Sequence, residues 1–374
     1  MPHISHKLRL RPNQSQLRSF RRMAGAKRNR FNWALQRWQE MYAAGENPTE
    51  LKIRKELTQV KKVDEFAWLK EVPQAVTANA VRDLGVAFKN FFRRVKQRAT
   101  KPGFPRFKRK GLRESFTPTD RKQPIKMKGK RLYIRGAGYV RLCEMPRFEG
   151  PVVEATVSLG SCGHWYVALC FEVETIPTGD RVGTGDVGID LGSTTLATLS
   201  DGSTFAPEKQ YKRQDKRLKR LQRRLAKQQK PSNRRARTKS SIGKILAGQR
   251  RRRNEYLHEL TTGIVRTFDR ISIEDLNVRG MVKLRSLARS ISDRAFREFR
   301  RQVEYKAKWY GCYLHVVDRF FPSSKLCSAC GCKKDDLSLS DRTYECDACG
   351  LTIDRDLNAA LNLKDQIPVL APGI

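Results

Sequence analysis

The sequence predicts a mixed α/β protein that also contains a small β-barrel. Three observations predict this fold class. Residues 12–100 hold apolar residues at helical spacing, with Lys and Arg on the opposite face. Residues 115–176 instead alternate apolar and polar positions between Gly and Pro, as short strands do. From residue 186 onward, strand-like and helix-like stretches alternate, which is typical of a sheet with crossover helices.

The first elements predict a helical lobe that is inserted into the barrel. Residues 6–11 form a strand-like run that Pro12 ends, and Asn13 fits the N-cap of a long helix. A second helical block runs from about 73 to 100. We expect the N-terminal strand to join four later strands in the barrel. Those four strand-like runs are 131–135, 139–143, 152–159 and 165–173.

Residues 101–110 (KPGFPRFKRK) hold too many Pro and Gly for a helix. Phe104 and Arg106 belong to this run, in which basic residues are interleaved with Phe. Such a run suits a strand edge or loop along a nucleic-acid backbone, with bases stacked on the rings. It equally suits a basic linker whose two Phe side chains are anchored in a core, and the sequence leaves both interpretations open.

The second half of the chain begins with three strand-like runs joined by turns. Asp190 lies in the first run, between Gly188 and Gly192, which allow other groups to approach the backbone closely. The later runs are helix 256–268, strand 270–276, helix 293–310, strand 313–317 and a last helix after 354. Three antiparallel strands followed by parallel strands with crossover helices make the order of a ribonuclease-H-like fold.

Three acids lie at positions that such a fold brings close together: Asp190 on the first strand, Glu274 at the end of the fourth, and Asp356 on the last helix. Each alone would be ordinary, since acids often lie at strand edges or cap helices. In-line cleavage of a phosphodiester by two Mg²⁺ about 3.5–4 Å apart needs carboxylates that bridge and flank the ions. We predict catalytic and Mg²⁺-binding roles for all three. Asp354, which could instead cap the helix, and Asp275 are the alternatives.

Two Cys-x-x-Cys pairs with fifteen residues between them match a structural zinc site in spacing and length. Each pair places two thiolates about 3–4 Å apart, which a tetrahedral ion with Zn–S bonds of ~2.3 Å requires. Cys332 lies at the wrong spacing and is left out. We predict one structural Zn²⁺ with four ligands: Cys327, Cys330, Cys346 and Cys349.

The composition indicates a nucleic-acid partner. The chain of 374 residues carries 77 Lys and Arg against 38 Asp and Glu, which gives a net charge of +39. Such a charge opposes compaction unless a polyanion neutralises it. A membrane surface is the alternative, but we find no long apolar run and no basic amphipathic helix with an aromatic face. The N-terminus is polar rather than signal-like, and the cysteines suit a reducing compartment.

The most basic stretch, 209–253, holds twenty Lys and Arg and a single acid, Asp215. A weak stripe of Leu follows helical spacing. The stretch could be a pair of solvated helices or a disordered tail. Its position between a β-hairpin and a helix argues against a tail, so we expect the wall of a basic channel. Nucleic-acid contacts are expected from three of its arginines: Arg217, Arg220 and Arg224.

Four motifs together resemble one known family. They are Gly188-Ile-Asp-Leu-Gly192, Ile273-Glu-Asp-Leu-Asn277, Ser323-Ser-Lys-Leu-Cys-Ser-Ala-Cys-Gly331 and Asp354-Arg-Asp-Leu-Asn-Ala-Ala360. The chain resembles the TnpB family of transposon-encoded proteins, which is similar to the type V CRISPR effectors. The resemblance covers nearly the whole chain, including Gly103-Phe-Pro-Arg-Phe-Lys108. In the family pattern the second Asp of the last motif is catalytic, which favours Asp356 over Asp354.

The resemblance implies an RNA-guided DNA endonuclease. Its guide would be a noncoding transcript of the element's end, and it would cut double-stranded DNA next to a short transposon-adjacent motif. We expect a monomeric protein within a ribonucleoprotein, no membrane partner, and a prokaryotic cytoplasmic location at the nucleoid through DNA. The implied domains are a wedge-type β-barrel (1–11 and 101–177), a helical recognition lobe (12–100), a RuvC-like nuclease domain (178–318 and 354–374) and a zinc-binding segment for target nucleic acid (319–353).

By the family's layout, four polar residues would read the adjacent motif: Gln74, Asn79, Ser115 and Thr117. Polar residues at these positions could equally be caps and turns. Base pairing with the guide would supply the remaining sequence specificity, while the protein holds the heteroduplex by its backbone and shape.

Two other functions stay open. An unguided, structure-selective nuclease of the same fold, such as a junction resolvase, would need neither the N-terminal 180 residues nor the excess positive charge. An RNA-guided DNA-binding repressor or a transposition accessory protein would not cut, and the three intact acids argue against it. We therefore predict an RNA-guided, Mg²⁺-dependent DNA endonuclease.

Overall fold

The computed structural model describes residues 3–60, 64–111, 114–119, 125–175, 181–192, 194–206, 212–283, 291, 294–338 and 341–368. The chain divides into two compact units, each with its own sheet. The first comprises Met1–Ile176 and Lys239–Lys244, and the second comprises Pro177–Thr238 and Ile245–Ile374. Within the described ranges, none of the helices is both long and apolar enough to cross a lipid bilayer.

The first unit is built on a seven-stranded antiparallel sheet in the order β2-β6-β7-β1-β5-β4-β3. The N-terminal strand β1 pairs with β7 through its residues 3–9 and with β5 at Leu10 and Arg11. The five strands predicted here are therefore confirmed, and the first joins the others as expected. The strands are β1 (His3–Arg11), β2 (Ser115–Phe116), β3 (Met127–Lys128), β4 (Arg131–Ile134), β5 (Gly138–Leu142), β6 (Val152–Leu159) and β7 (Trp165–Glu172).

Three α-helices lie between β1 and β2: α1 (Gln14–Ala43), α2 (Glu50–Val60) and α3 (Gln74–Lys96), with a 3₁₀-helix at Asp64–Glu71. The sequence predicted α1 and α3 but neither of the other two. The predicted cap of α1 is confirmed, because Asn13 Oδ1 accepts from the Gln16 N–H at 2.8 Å and Gln16 Oε1 accepts from the Asn13 N–H at 3.0 Å. The apolar faces of the three helices share one core.

The helices are tied to the sheet by aromatic packing. Phe20 of α1 packs on Phe116 and Trp165, with ring centroids 5.5 and 5.2 Å away, and is fully buried. Such pairs add about 0.5–1.5 kcal/mol each beyond their buried area. The N-terminal half of α1 therefore packs against the sheet, while its C-terminal half packs against α2 and α3.

The second unit is built on a five-stranded sheet in the order β10-β9-β8-β11-β12. β8 pairs antiparallel with β9, and β9 with β10, whereas β11 runs parallel to both β8 and β12. This is the predicted sequence of antiparallel and then parallel strands. The strands are β8 (Asp186–Asp190), β9 (Ala197–Leu199), β10 (Thr204–Phe205), β11 (Arg270–Glu274) and β12 (Tyr313–Val317).

Five helices are described in the second half; four agree with the prediction in kind and differ in length, and the short third one was not predicted. They are α4 (Lys212–Lys227), α5 (Asn233–Thr267), α6 (Val278–Met281), α7 (Phe296–Tyr310) and α8 (Arg355–Asp365). The predicted helix 256–268 is only the end of the 35-residue α5. The basic stretch forms helices rather than a tail. The predicted start of α7 at 293 lies outside the described residues.

Helix α8 lies unusually close to β8. A Cβ atom added at Gly188 would lie 2.0 Å from the Ala360 carbonyl oxygen and 2.4 Å from the Lys364 nitrogen, so only glycine fits there. The predicted close approach at Gly188 is confirmed. It fixes the position of α8 on the strand that ends in Asp190.

A polar network is buried between α5 and α7. The Lys306 ammonium donates to the His258 carbonyl at 2.8 Å and to the hydroxyls of Thr261 and Thr262, each at 2.7 Å. Lys306 is only 4% exposed, and this burial lowers its pKa to about 8. Three acceptors satisfy its three donors, and none of the three is charged.

Candidate functional site

The three predicted acids meet at one edge of the second sheet. Asp190 ends β8 and Glu274 ends β11, and these parallel neighbours are paired up to Ile189 and Ile273. Both carboxyls therefore emerge at the carboxyl ends of adjacent strands, where α/β sheets commonly bind ligands. Asp356 lies in the first turn of α8, which packs on β8 and β11.

The proximity of the acids affects their ionisation. The pKa of Asp190 is raised well above its usual range, first by burial and then by the negative charges of Glu274 and Asp356. Arg355 opposes this shift, and its Nη2 lies 3.3 Å from Asp356 Oδ1. Burial also raises the pKa of Glu274, against a hydrogen bond from Ser323. Ionising all three carboxyls together is thus unfavourable without a cation.

The two alternative acids already have other partners. Asp354 caps α8, because its Oδ1 accepts from the N–H groups of Asp356 and Leu357 at 3.0 Å each. Asp275 forms ion pairs with Arg300 and, at 2.5 Å, with Arg319, and the Arg300 hydrogen bond is the main reason that its pKa is lowered. Both oxygens of Asp275 are thus engaged by arginines, whereas Asp354 uses one oxygen for the cap.

The three carboxyls fit a hard cation. Mg²⁺ prefers oxygen ligands and is commonly held by one or two carboxylates together with water and substrate phosphate. Within the described ranges, the four cysteines are the one group of His, Cys, Asp and Glu whose ligand atoms all lie within 4.8 Å of one another. The three acids do not form such a tight group among the described residues.

The sequence did not predict the side chains that hold this site together. The Ser323 hydroxyl donates to Glu274 Oε1, while the Ser323 carbonyl accepts from Asn362 Nδ2 at 2.7 Å. Asn358 and Asn362 also both donate to the Leu326 carbonyl, at 2.6 and 2.8 Å. The one sequence feature that could have indicated these contacts is the pair of Asn residues at i and i+4 of an otherwise apolar helix. These contacts join α8 to the segment that precedes the first cysteine pair.

The two cysteine pairs form equivalent turns. In each turn the N–H of the following glycine, Gly331 or Gly350, donates to the carbonyl of the first cysteine at 2.9 Å. Both glycines adopt a positive φ, of 75° and 70° respectively. The second turn is the loop of a hairpin of β13 (Thr343–Glu345) and β14 (Thr352–Asp354), whose second strand leads directly into α8.

The four predicted cysteine ligands come together. Cys327 Sγ lies 3.6 Å from Cys349 Sγ, and Cys330 Sγ lies 3.5 Å from Cys346 Sγ. A tetrahedral zinc ion with Zn–S bonds of 2.3 Å requires sulfurs ~3.8 Å apart, so the set fits such an ion. Cys332 is not part of the group.

The sulfur group needs a cation to be fully ionised. Backbone N–H groups of Cys349 and Ala348 lower the pKa of Cys346 to about 6. The Leu351 N–H acts on Cys349 in the same direction, yet the three neighbouring sulfurs raise the pKa of Cys349 to about 12. The crowded sulfurs therefore oppose the ionisation of Cys349, an effect that a bound cation would relieve.

The predicted nucleic-acid contacts differ in accessibility. Arg217, Arg220 and Arg224 are all exposed on α4. Residues 101–110 form no helix, as predicted, and Arg106 is exposed there. Phe104 packs edge-on against Phe88 and Phe91 at 5.5 and 5.3 Å, which matches the anchored-linker interpretation for this ring, although 46% of it remains exposed.

Two of the four predicted motif-reading residues serve the fold. Asn79 is buried, and its Nδ2 donates to the carbonyls of Thr117 and Thr119 at 3.1 and 3.2 Å. The buried Thr117 hydroxyl is hydrogen-bonded to Thr156 at 3.0 Å. This matches the alternative of structural polar residues. Gln74 is exposed and Ser115 half-buried, so both are accessible from solvent.

Family comparisons cover most of the chain in three pieces. A "Helix-turn-helix domain" model matches residues 1–47, a "Probable transposase" model matches 168–285, and a "Cas12f1-like, TNB domain" model matches 296–363. The last match contains all four cysteines and Asp356.

Full-length relatives decide the family. A "Putative RNA-guided DNA endonuclease" of Streptomyces pristinaespiralis is 36% identical over 96% of this chain and 87% of its own length. InsQ of Escherichia coli K12, given the same description, is 34% identical over 96% and 90%. A "TnpB-like protein" of Methanocaldococcus jannaschii is 34% identical over 36% of this chain and 50% of its own. The chain belongs to the TnpB family.

A solved structure supports the fold of this TnpB-family protein. The Cas12f1 chain of a complex with sgRNA and target DNA superposes with a TM-score of 0.59, over 94% of this chain and 82% of that one. The two sequences are 15% identical, so the likeness concerns the fold alone. The predicted mixed α/β class is confirmed.

Proposed function

We propose that this TnpB-family protein is an RNA-guided DNA endonuclease that cuts double-stranded DNA next to a short transposon-adjacent motif. The convergence of Asp190, Glu274 and Asp356 at the carboxyl ends of β8 and β11 is the observation that carries the proposal. The full-length relatives are named as such endonucleases, and the similar Cas12f1 chain was solved with sgRNA and target DNA. Neither the repressor nor the unguided nuclease has comparable support.

The proposed domains follow the sheets. The sheet that unites β1 with β2–β7 supports a wedge-type barrel of residues 1–11 and 101–177, and α1–α3 support an inserted recognition lobe of residues 12–100. The strand order 3-2-1-4-5 within β8–β12 supports a RuvC-like, ribonuclease-H-like nuclease domain of residues 178–318 and 354–374. The β13–β14 hairpin and the four cysteines support the zinc-bearing insertion at 319–353.

Two Mg²⁺ ions would be held by Asp190, Glu274 and Asp356, and one Zn²⁺ by the four cysteines. Bound at the acids, Mg²⁺ supplies a Lewis acid that favours formation of the attacking hydroxide and stabilises the leaving oxygen. The protein fixes the three carboxylates from three directions. The paired strands hold Asp190 and Glu274, the Gly188 contact holds α8 and thus Asp356, and the Ser323 hydroxyl orients Glu274.

The nucleic-acid partners would be a noncoding guide RNA and the target DNA. Exposed Arg217, Arg220, Arg224 and Arg106 would contact phosphates, which gives binding without sequence preference. Sequence would be read by guide pairing, and the adjacent motif by side chains near Gln74 and Ser115. Asn79 and Thr117 would position that region from within rather than touch bases.

Two experiments test the proposal. The protein is purified from cells that carry its native flanking DNA, and any co-purifying RNA is sequenced. One discrete RNA whose 3′ end runs into flanking sequence supports guidance, whereas random RNA or none contradicts it. The second experiment is Asp190→Ala, which we expect to abolish cleavage while RNA and DNA binding persist. Equal cleavage by this variant would overturn the active-site assignment.

A further inference from the structure

Phe320 is the most exposed large apolar side chain in the described part of the molecule. It is 87% exposed, compared with 73% for Tyr42, the next aromatic residue. Phe320 is not part of the ring–ring contacts among the described residues. A packed aromatic side chain buries a large apolar area, so leaving one exposed gives up much stabilisation. Nothing in the described fold accounts for a phenyl ring at this position.

The turn that carries Phe320 is well ordered by hydrogen bonds. Asp318 Oδ1 accepts from the Phe320 N–H at 2.8 Å, and the Asp318 carbonyl accepts from the Phe321 N–H at 3.1 Å. The Phe321 carbonyl in turn accepts a hydrogen bond from the Ser323 N–H at 2.9 Å. The ring is therefore held out into solvent by a defined turn.

The same turn is attached on both sides of Phe320 to the acids that end β11. Arg319 donates to the Asp275 carboxylate at 2.5 Å and to the Asp275 carbonyl at 3.1 Å. Ser323 donates to Glu274. Because three residues of chain span at most about 11 Å, the Phe320 backbone lies within that distance of Ser323, which contacts Glu274.

We propose that Phe320 stacks on a nucleobase of the DNA strand being cut and thereby holds the neighbouring phosphate at the three acids. This inference rests on the proposed nuclease function. Guide pairing displaces one DNA strand from the duplex, and the bases of such a single strand are free to stack. Aromatic faces accept any base, and a guide-directed enzyme needs a substrate clamp without sequence preference.

Photo-crosslinking tests the contact without requiring cleavage. The Asp190→Ala protein, loaded with its co-purified RNA, is bound to target DNA that carries 5-iodo-2′-deoxyuridine at successive positions around the cut. We expect a crosslink that maps to Phe320 at one or two positions and disappears in the Phe320→Ala background. Tyr42→Ala is the matched control, because it removes an exposed aromatic side chain in the other unit. Crosslinks that spare Phe320 at every position overturn the proposal.

Single-turnover cleavage tests the consequence. We expect Phe320→Ala to slow cleavage about tenfold, within the range for one base–aromatic stack, and to leave the Kd for target DNA unchanged. Phe320→Trp should restore the rate. An abasic nucleotide at the crosslinked position should slow the wild type and have no further effect on Phe320→Ala. Wild-type cleavage by Phe320→Ala would refute the stacking role.

Failure of the proposed function has a different signature. If wild-type protein does not cut in the presence of its RNA, the nuclease assignment fails. Crosslinking with a free single-stranded iodouridine oligonucleotide then still tests Phe320. A crosslink to Phe320 would support base stacking, and its absence would indicate that the ring serves a protein contact instead.

Discussion

The contact between Gly188 and α8 can be tested by adding a single methyl group. In Gly188→Ala the new Cβ would lie 2.0 Å from the Ala360 oxygen, and real Cβ contacts are essentially never closer than 3.0 Å. Either β8 or α8 must therefore move by at least about 1 Å, because both opposing atoms at this contact belong to the backbone of α8. Overpacking of this kind costs about 1–3 kcal/mol, and rigid backbone on the helix side favours the upper end.

The measurements are thermal unfolding and single-turnover cleavage. A loss of ~3 kcal/mol should lower the Tm by about 6–12 °C for a unit of this size. A displacement of 1 Å at Asp356 should reduce the cleavage rate about 100-fold. The control is Gly263→Ala in α5 of the same unit, where the added Cβ would have no neighbour within 4 Å beyond the adjacent backbone of its own helix. Alanine favours helix by about 1 kcal/mol over glycine, so the control should lose no stability.

The reasoning would be refuted if Gly188→Ala kept both the wild-type Tm and the wild-type rate. A lower Tm with normal cleavage would contradict only one part of the reasoning. It would show that the clash is real but is relieved away from Asp356, and that α8 does not set the position of this carboxylate.

Three further predictions concern other contacts. Cys327→Ser and Cys346→Ser should each lose zinc and destabilise the second unit, since structural zinc supplies on the order of 10 kcal/mol of folding free energy. Metal analysis measures the zinc content, and full zinc content in either variant would contradict the ligand set. Ser323→Ala should raise the Mg²⁺ concentration needed for half-maximal cleavage, Ser323→Thr should restore it, and an unchanged Mg²⁺ titration would exclude the orienting role. Lys306 has its pKa lowered from 10.5 to about 8, so unfolded protein binds more protons between these values, and the free energy of unfolding should rise with pH from about 8 to 10.5. Denaturant titrations of Lys306→Met should show a smaller rise, because Lys108, whose pKa burial also lowers to about 8, contributes the remainder.

The acidic site could be predicted because its parts lie on regular elements. Asp190 and Glu274 end apolar strand-like runs, and the parallel register of β8 and β11 follows from the order of elements. The start of an apolar helix indicates either Asp354 or Asp356, and only the family pattern favours Asp356. The cysteine site could be predicted because its spacing alone determines the ligand set.

Other features depend on contacts that sequence does not encode locally. Ser323 is 49 positions from Glu274, and no pattern around either residue indicates their hydrogen bond. For Asn79 the sequence left both motif reading and a structural role open, and the structure buries it with its amide donating to the Thr117 carbonyl. The length of α5 was missed because its many basic residues hide the weak apolar stripe. Helix α2 was missed although Ile53 and Leu57, both buried, have helical spacing.

The amides of Asn358 and Asn362 connect the two candidate metal sites, whose metals would exchange at different rates. They fasten the helix that carries Asp356 to the backbone beside the cysteine cage. Zinc held by four thiolates is part of the folded structure, whereas Mg²⁺ at carboxylates retains water and exchanges readily. Zinc would thus determine what fraction of molecules can act, and Mg²⁺ how fast each one acts. Brief removal of Mg²⁺ should be reversed within the mixing time, whereas activity lost with zinc should return only as slowly as the second unit refolds.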